Sequence, residues 1–219
     1  MTAPAHPFDR WAGATLEFDE PTHTYTLREP LARGTFALHP LPSVTQVLSY
    51  GKDLSRIPPW TGAFGKLVHA ACELDSLGTL DESTLVAQEI DGRWCDPWPR
   101  LRAWRRYTKG ERPYAVERPV WCEIDGLRYA GTIDVVWCPG RDGLFVIDDI
   151  KTGKQARPSE HGPQVQAYAR AWEQRMGGQV KEAACVYLRD DGPERVRYDE
   201  PKHLETFRAA LGRWYEANG

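Results

Sequence analysis

The chain has 219 residues, 41% of them hydrophobic, and a formal net charge of −3. This length and apolar content predict a folded domain with a substantial core and exclude a disordered chain. No apolar run approaches the roughly 20 residues that cross a membrane, and the first residues, MTAPAHPFDRW, lack the basic and apolar regions of a secretory signal. We therefore expect a cytoplasmic protein with no membrane partner.

The cysteines are scattered along the chain, at Cys72, Cys95, Cys122, Cys138 and Cys185. No two of them stand at the close C-x2-C spacing that is typical of zinc and iron–sulfur sites. The sequence therefore predicts reduced, mostly buried thiols, and no iron–sulfur cluster.

The N-terminal half combines a predicted hairpin with helices. Loose alternation of apolar and polar residues predicts a β-hairpin over Thr15–Leu27. Ser43 is a candidate N-cap for a short helix, and apolar residues at helical spacing predict a longer helix over Thr61–Leu77. Residues 83–110 also have a helical pattern, which we interpret as two helices separated near Asp96-Pro97.

The C-terminal half changes to strand periodicity. Three strands are predicted over Ala115–Ile124, Arg128–Trp137 and Leu144–Ile150, with turns at Asp125-Gly126 and at residues 139–143. They are followed by a helix over Gln164–Arg175, strands over Ala183–Leu188 and Arg195–Tyr198, and a last helix from Pro201. This order predicts an α/β fold with a mixed central sheet flanked by helices.

Two carboxylates and a lysine lie near the ends of two neighbouring predicted strands. Because side chains alternate along a strand, Asp149 and Lys151 share one face while Asp148 points away, and the preceding strand contributes Asp134. Two carboxylates from adjacent strands suit a hard cation such as Mg²⁺ or Mn²⁺, and a neighbouring lysine can orient a water or stabilise charge on a phosphate. A buried structural ion-pair network remains an equal alternative on these residues alone.

Basic residues line the second half of the 83–110 segment. If Trp98, Leu101 and Trp104 pack inward, solvent is left with a basic stripe and a nearby Tyr107; the basic residues are Arg100, Arg102, Arg105, Arg106 and Lys109. Such a stripe is usually an ordinary solvated helix face, and it is also the best candidate in this chain for a track that follows a phosphate backbone, with Tyr107 available to stack on a base.

Five short patterns occur in an order that resembles a known group of enzymes. They are His23-x-Tyr25 followed by Pro42-Ser43-Val44-Thr45, Gly65-x3-His69-x3-Glu73, Gly131-Thr132-Ile133-Asp134, Asp149-Ile150-Lys151-Thr152-Gly153, and Gln164-x3-Tyr168. Together they resemble the PD-(D/E)xK nuclease superfamily, in particular its RecB-like branch of phage and mitochondrial-maintenance exonucleases. The resemblance extends from about residue 20 to residue 170.

The resemblance implies a role for each matching residue. The metal ligands would be His69, Asp134, Asp149 and the backbone carbonyl of Ile150, and the catalytic lysine would be Lys151. Gln164 and Tyr168 would orient that lysine or a phosphate. Glu73 and Glu117 would be supporting residues. The cysteines of the CRISPR-associated exonucleases in this branch are absent, which argues against that subgroup.

The resemblance also implies an architecture and a function. We expect a restriction-endonuclease-like core within one nuclease domain over 1–219, divided into an N-terminal hairpin and helix (1–58), a helical insertion (59–112) and the catalytic sheet with its helices (113–219). The activity would be that of an Mg²⁺- or Mn²⁺-dependent DNA exonuclease in recombination, repair or phage genome processing, encoded by a bacterium or phage. A separate helicase or recombinase is a possible partner. A non-catalytic DNA-binding subunit and a structure- or site-specific endonuclease remain open alternatives.

Overall fold

The N-terminal part of the chain is a small antiparallel sheet. The computed structural model describes residues 13–31, 34–138, 143–153 and 156–219. Its first three strands, β1 (Thr15–Asp19), β2 (Thr24–Pro30) and β3 (Phe36–Leu41), pair in the order β1-β2-β3. The predicted hairpin is confirmed, and β3 is an additional strand. Tyr25 and Leu27 of β2 are buried beneath the sheet.

Two helices follow this sheet. The first, α1 (Val44–Ser49), begins with a reciprocal capping box in which Ser43 accepts a hydrogen bond from the Gln46 backbone and the Gln46 side chain accepts one from Ser43. The second, α2 (Pro59–Leu77), has proline at its first position and ends at Gly78, whose backbone is left-handed. Both predicted helices are present, the first at its predicted N-cap Ser43 and the second two residues before its predicted start at Thr61.

The segment before the next helix differs from its prediction. Instead of a first helix after residue 83, the structure has a one-turn 3₁₀ helix, Glu82–Thr84, followed by a two-stranded hairpin, β4 (Gln88–Ile90) and β5 (Arg93–Cys95). The prediction of a helix here is wrong because Asp91-Gly92 forms a tight turn in which both residues have positive φ. The second predicted helix is present as α3 (Trp98–Thr108).

The centre of the protein is a five-stranded mixed sheet. Its strands are β6 (Ala115–Ile124), β7 (Leu127–Trp137), β8 (Phe145–Lys151), β9 (Val180–Leu188) and β10 (Pro193–Arg197). They lie in the order β10-β9-β8-β7-β6, and β8 and β9 form the one parallel pair among them. The predicted mixed sheet is therefore confirmed.

Helices cover both faces of this sheet. The helix α4 (Pro158–Met176) connects β8 to β9, and α5 (Pro201–Asn218) ends the chain. With α1 they bury one face, while α2 and α3 bury the other. The start of α4 was predicted near Gln164 and is wrong by about two turns, because Pro158 begins the helix and Pro163 is accommodated inside it.

Two sequence predictions fall outside the described residues in whole or in part. The turn predicted at 139–143 includes residues 139–142, and the N-terminal segment in which no secretory signal was expected includes residues 1–11. Within the described ranges, no helix has both the length and the apolar character needed to cross a membrane.

Candidate active site

Three elements meet where β7 and β8 lie side by side beneath α2. The backbone N–H of Ile150 in β8 donates a 2.6 Å hydrogen bond to the Asp134 carboxylate of β7. The carbonyl of the same residue lies 3.0 Å from Nε2 of His69, which α2 carries to this point. The chain thus brings together an imidazole, a carboxylate and a backbone carbonyl from distant positions in the sequence.

Glu117 of β6 completes this group. Nδ1 of His69 is 3.6 Å from Oδ2 of Asp134 and 3.8 Å from Oε1 of Glu117. One potential ligand atom from each of these three residues lies within 4.8 Å of the others. Glu117 has a φ of +44°, a left-handed conformation that is costly for a residue with a side chain. β6 therefore departs from regular strand geometry at Glu117, the residue that it contributes to this group.

The electrostatics of this group reflect an excess of negative charge. Burial raises the pKa of Asp134 above its usual range, and the carboxylates of Asp149 and Glu117 add to that rise. Burial would lower the pKa of His69, but the carboxylates of Asp134 and Glu117 outweigh it and raise that pKa. A bound divalent cation would relieve both perturbations because its charge compensates the clustered carboxylates.

Asp149 and Lys151 form the second half of the site. The two residues share one face of β8, as strand parity predicts, and the Lys151 ammonium lies 2.5 Å from the Asp149 carboxylate. Burial alone would lower the lysine pKa, but Asp149 outweighs it and raises that pKa, so the ammonium keeps its proton. Asp149 faces the lysine and is not part of the three-residue group around His69.

Helix α4 holds the lysine in place. Lys151 donates a 2.9 Å hydrogen bond to Oε1 of Gln164, whose amide donates in turn to the Tyr168 hydroxyl at 3.2 Å. Tyr168 packs closely on β7, because a Cβ at Gly131 would lie 2.6 Å from its ring. Glycine at this position therefore lets the tyrosine support the lysine.

Two of the five basic residues predicted to form a stripe on α3, Arg100 and Arg105, are engaged in ion pairs. Arg100 is buried and pairs with Asp190, so its predicted exposure to solvent is wrong. Arg105 donates to Asp75 through two nitrogens and also to Glu82. These two arginines are used in structural ion pairs and are not available to follow a phosphate backbone.

Tyr107 is occupied as well. Its hydroxyl donates a hydrogen bond to Asp148, and its ring packs against the apolar cluster beneath α2 and α3. The ring is half-buried, and its stacking on a base stays a prediction. Arg102, Arg106 and Lys109 are exposed, but Arg106 bonds to the backbone of Arg102.

The remaining predicted residue, Glu73, lies one turn beyond His69 on α2. It lines the same small cavity as His69, Glu117 and Asp134, without belonging to the ligand group. Burial raises its pKa, and the Glu117 carboxylate adds to the rise. Its position is that of a residue beside the site.

Sequence reasoning missed Cys185 and His161 as neighbours of the site, whereas Tyr25 belongs to one of the patterns that carry the resemblance. Cys185 of β9 is buried 3.7 Å from the Asp149 carboxylate, and the Tyr25 hydroxyl of the N-terminal sheet lies 2.9 Å from Oγ1 of Thr132. His161 lies one turn before Gln164 on α4. Pro158, which begins α4, was the signal that could have extended the predicted helix to His161. The pairing of β8 with β9, which places Cys185 beside Asp149, has no local signal in the sequence.

These residues fit a divalent metal ion. His69, Glu117, Asp134 and the Ile150 carbonyl offer mainly oxygen donors with one imidazole, a set that suits Mn²⁺ and tolerates Mg²⁺. Asp134 is buried and His69 and Glu117 are half-buried beside surplus carboxylate charge, which a cation would neutralise. The second acid-x-Lys sequence, Glu200-Pro201-Lys202, lies apart from this group as an exposed ion pair at the start of α5.

One family model matches most of the chain. This model, described as the PD-(D/E)XK nuclease superfamily, matches residues 47–217. One solved structure, titled "Crystal structure of SSO0001", is similar with 14% identity and a TM-score of 0.37, over 78% of this chain and 81% of that one. No curated protein matches the chain. The family match spans most of the sequence, including His69, Asp134, Asp149 and Lys151, and the chain belongs to the PD-(D/E)XK nuclease superfamily.

Proposed function

We propose that the protein is a metal-dependent DNA exonuclease of the RecB-like branch, which hydrolyses phosphodiester bonds at single-stranded or open DNA ends. The observation that carries the proposal is a surplus of buried carboxylates beside a lysine that α4 holds in position. Structural ion pairs are usually balanced in charge, whereas a site for a cation and a phosphate contains groups left to be compensated. The proposal treats residues 1–219 as one nuclease domain.

Each residue has a proposed role in that reaction. His69, Asp134 and the Ile150 carbonyl would hold Mg²⁺ or Mn²⁺, with Glu117 as a further ligand from β6. Asp149, which the family resemblance implies as a ligand, would approach the cation from its place beside Lys151. When bound, such a cation polarises a phosphate oxygen and lowers the pKa of a water.

The lysine and its supports form the second set of proposed roles. Lys151, kept protonated by Asp149, would orient the attacking water and stabilise charge that develops on the phosphate. Gln164 and Tyr168 would hold the ammonium at the distance that this requires.

The test is digestion of DNA labelled at either end, in single- and double-stranded forms, with Mg²⁺, Mn²⁺ and EDTA. We expect metal-dependent release of short products from an end, and none with Lys151→Ala. The matched control is Lys202→Ala, which removes the lysine of the exposed Glu200-Pro201-Lys202 sequence. A Lys151→Ala protein as active as the wild type would contradict the proposal.

Two further substrates distinguish the alternatives. Covalently closed circular DNA offers no end, so cleavage of a circle would identify an endonuclease. Binding of DNA in EDTA without cleavage in any metal would identify a non-catalytic subunit. Acceleration by a purified helicase or recombinase would support a role in recombination, repair or phage genome processing.

A further inference from the structure

A chain of three hydrogen-bonded side chains begins beside the proposed active site and ends in the interior. Nδ1 of His161 lies 2.7 Å from the Tyr187 hydroxyl, which lies 2.8 Å from the Tyr198 hydroxyl. Tyr187 is fully buried on β9, in register with Lys151 of the parallel strand β8. The buried tyrosines thus hold the Nδ1 side of the His161 ring in a defined position.

The hydrogen bonds select one tautomer of the imidazole. The backbone N–H of Arg157 points at Nδ1 of His161 from 3.4 Å, and a backbone N–H can only donate. Nδ1 is therefore an acceptor, which makes Tyr187 a donor to it and Tyr198 a donor to Tyr187. A ring whose Nδ1 accepts is neutral and carries its proton on Nε2.

The charge environment favours the same neutral state. Burial lowers the pKa of His161 to about 4, and the nearby Lys151 ammonium contributes to that lowering. Its neighbours Asp149 and Glu160 act in the opposite direction and do not outweigh the first two causes, while the cationic Arg157 also lowers the pKa. At neutral pH the ring is a hydrogen-bond donor through Nε2 without a charge.

His161 is half-buried on α4, close enough to Lys151 and Asp149 for their charges to act on its imidazole. Nε2 lies on the edge of the ring away from Nδ1, and hence away from the buried tyrosines. Among the described residues, the structure shows no acceptor for it. One turn further along α4, Gln164 holds the Lys151 ammonium.

We propose that His161 binds the DNA backbone, donating a hydrogen bond from Nε2 to a phosphate oxygen next to the phosphate that Lys151 faces. This inference rests on the proposed function, since it assigns DNA to the same site. Tyr187 is then a positioning residue, because it holds the imidazole in the tautomer that donates. A neutral donor adds directional binding without contributing to counterion release.

The test compares His161→Gln, whose amide can still donate from nearly the same point as Nε2, with His161→Phe, which keeps the ring shape and cannot donate. The Kd of a fluorescent single-stranded oligonucleotide is measured with Ca²⁺ in place of Mg²⁺, alongside KM and kcat with Mg²⁺. We expect His161→Phe to raise Kd and KM about tenfold, as loss of a hydrogen bond to a charged group does. His161→Gln should stay within about threefold of the wild type, and kcat should change little in either variant.

Two further measurements separate binding from a structural role. The slope of log Kd against log salt should be the same in the wild type and His161→Phe, because no cationic contact is lost. Tyr187→Phe, which removes the donor to Nδ1 and keeps the imidazole, should raise Kd by an intermediate factor of about three.

Some results would overturn the inference. Equal Kd values for the Gln and Phe variants would do so, and so would a shallower salt slope in His161→Phe. Failure of the proposed function is recognised separately: a wild-type protein that binds DNA but does not cleave it in Mg²⁺ or Mn²⁺ refutes the nuclease activity. The Kd comparison would still decide the role of His161.

Discussion

Asp148 and Asp149 are adjacent in β8, are both almost completely buried, and differ in nearly every other respect. Asp148 accepts hydrogen bonds from Tyr107, Trp137 and Arg195 on the side of the sheet that α3 covers. Asp149, on the opposite face, has the Lys151 ammonium and a weakly donating thiol. The two residues have the same sequence context, so the difference between their carboxylates comes from the partners that each one meets on its face of the sheet.

The difference shows what distinguishes a structural carboxylate from a reactive one. Arg195, which compensates Asp148, is itself paired with Glu182, so the charge of Asp148 is already matched by a cation within the protein. The carboxylates around Asp149 outnumber the cationic groups near them, and the uncompensated negative charge favours the binding of a metal ion. Substitutions on the two faces should therefore affect different properties.

The largest effect is expected on stability, from the closed network. Asp148→Asn leaves Arg195 without its buried counter-charge, and we expect the free energy of unfolding to fall by about 3–5 kcal/mol. Urea denaturation followed by tryptophan fluorescence measures the loss. Asp149→Asn is the matched control and should lose less stability, because surplus carboxylates near Lys151 remain. A larger loss in Asp149→Asn would reverse our assignment of the two roles.

On the face of β8 that carries Lys151, we expect substitutions to lower the rate of cleavage more than the stability. Lys151→Ala removes the group proposed to stabilise charge on the phosphate, and we expect the rate of DNA cleavage to fall about 10²–10³-fold. The folded Asp148→Asn protein should still cleave DNA, because its substitution lies on the other face. Initial rates with Mn²⁺, corrected for the folded fraction, test this pair. Comparable losses of cleavage rate in both variants would contradict the assignment of separate structural and reactive roles to the two faces of β8.

The support of the lysine can be weakened without touching its charge. Gly131→Ala forces a Cβ against the Tyr168 ring, and we expect a stability loss of about 1–3 kcal/mol with a lower cleavage rate. Gly62→Ala, in α2 with open space around its Cβ position, is the control and should be neutral or slightly stabilising. Thermal denaturation and cleavage rates of the two variants make the comparison. Wild-type behaviour of Gly131→Ala would contradict the close packing.

The most gradual effect is expected in the dependence of stability on pH, because it is spread over more than two pH units. The pKa of His161 is about 4 in the folded protein and has an ordinary value of 6.5, so between these values the unfolded chain binds a proton that the folded chain does not. Stability contributed by the neutral ring should therefore fall as pH decreases from 6.5 to 4, by less than about 1.4 kcal/mol per pH unit. Unfolding free energies from pH 7 to pH 4 should fall less steeply in His161→Gln. Equal slopes would show that the shift is absent.

The parts of the fold that follow from local chemistry were predictable. Strand parity placed Asp149 and Lys151 on one face and Asp148 on the other. The same four residues, Glu-Ile-Asp-Gly, occur at 89–92 and 123–126, and form a tight turn with positive φ each time. Only the second was predicted as a turn; at the first, the helical pattern of the surrounding residues was given more weight than the turn signal.

The pairing of charges could not be predicted. Whether Arg100 faces solvent or Asp190 depends on how α3 docks against the loop after β9, which no spacing within the helix encodes. The same holds for Glu117, which the resemblance offered only as a supporting residue. Its left-handed backbone places it within reach of His69, and that conformation depends on the pairing of β6 with β7.

The unusual backbone of Glu117 has a consequence for solubility. β6 is an edge strand of the central sheet, and an unprotected edge can recruit a strand from another molecule. The left-handed residue interrupts regular pairing, the next residue presents the exposed charge of Arg118, and Pro119 has no N–H to offer. Three consecutive residues thus make this edge a poor template for intermolecular sheet formation and for aggregation.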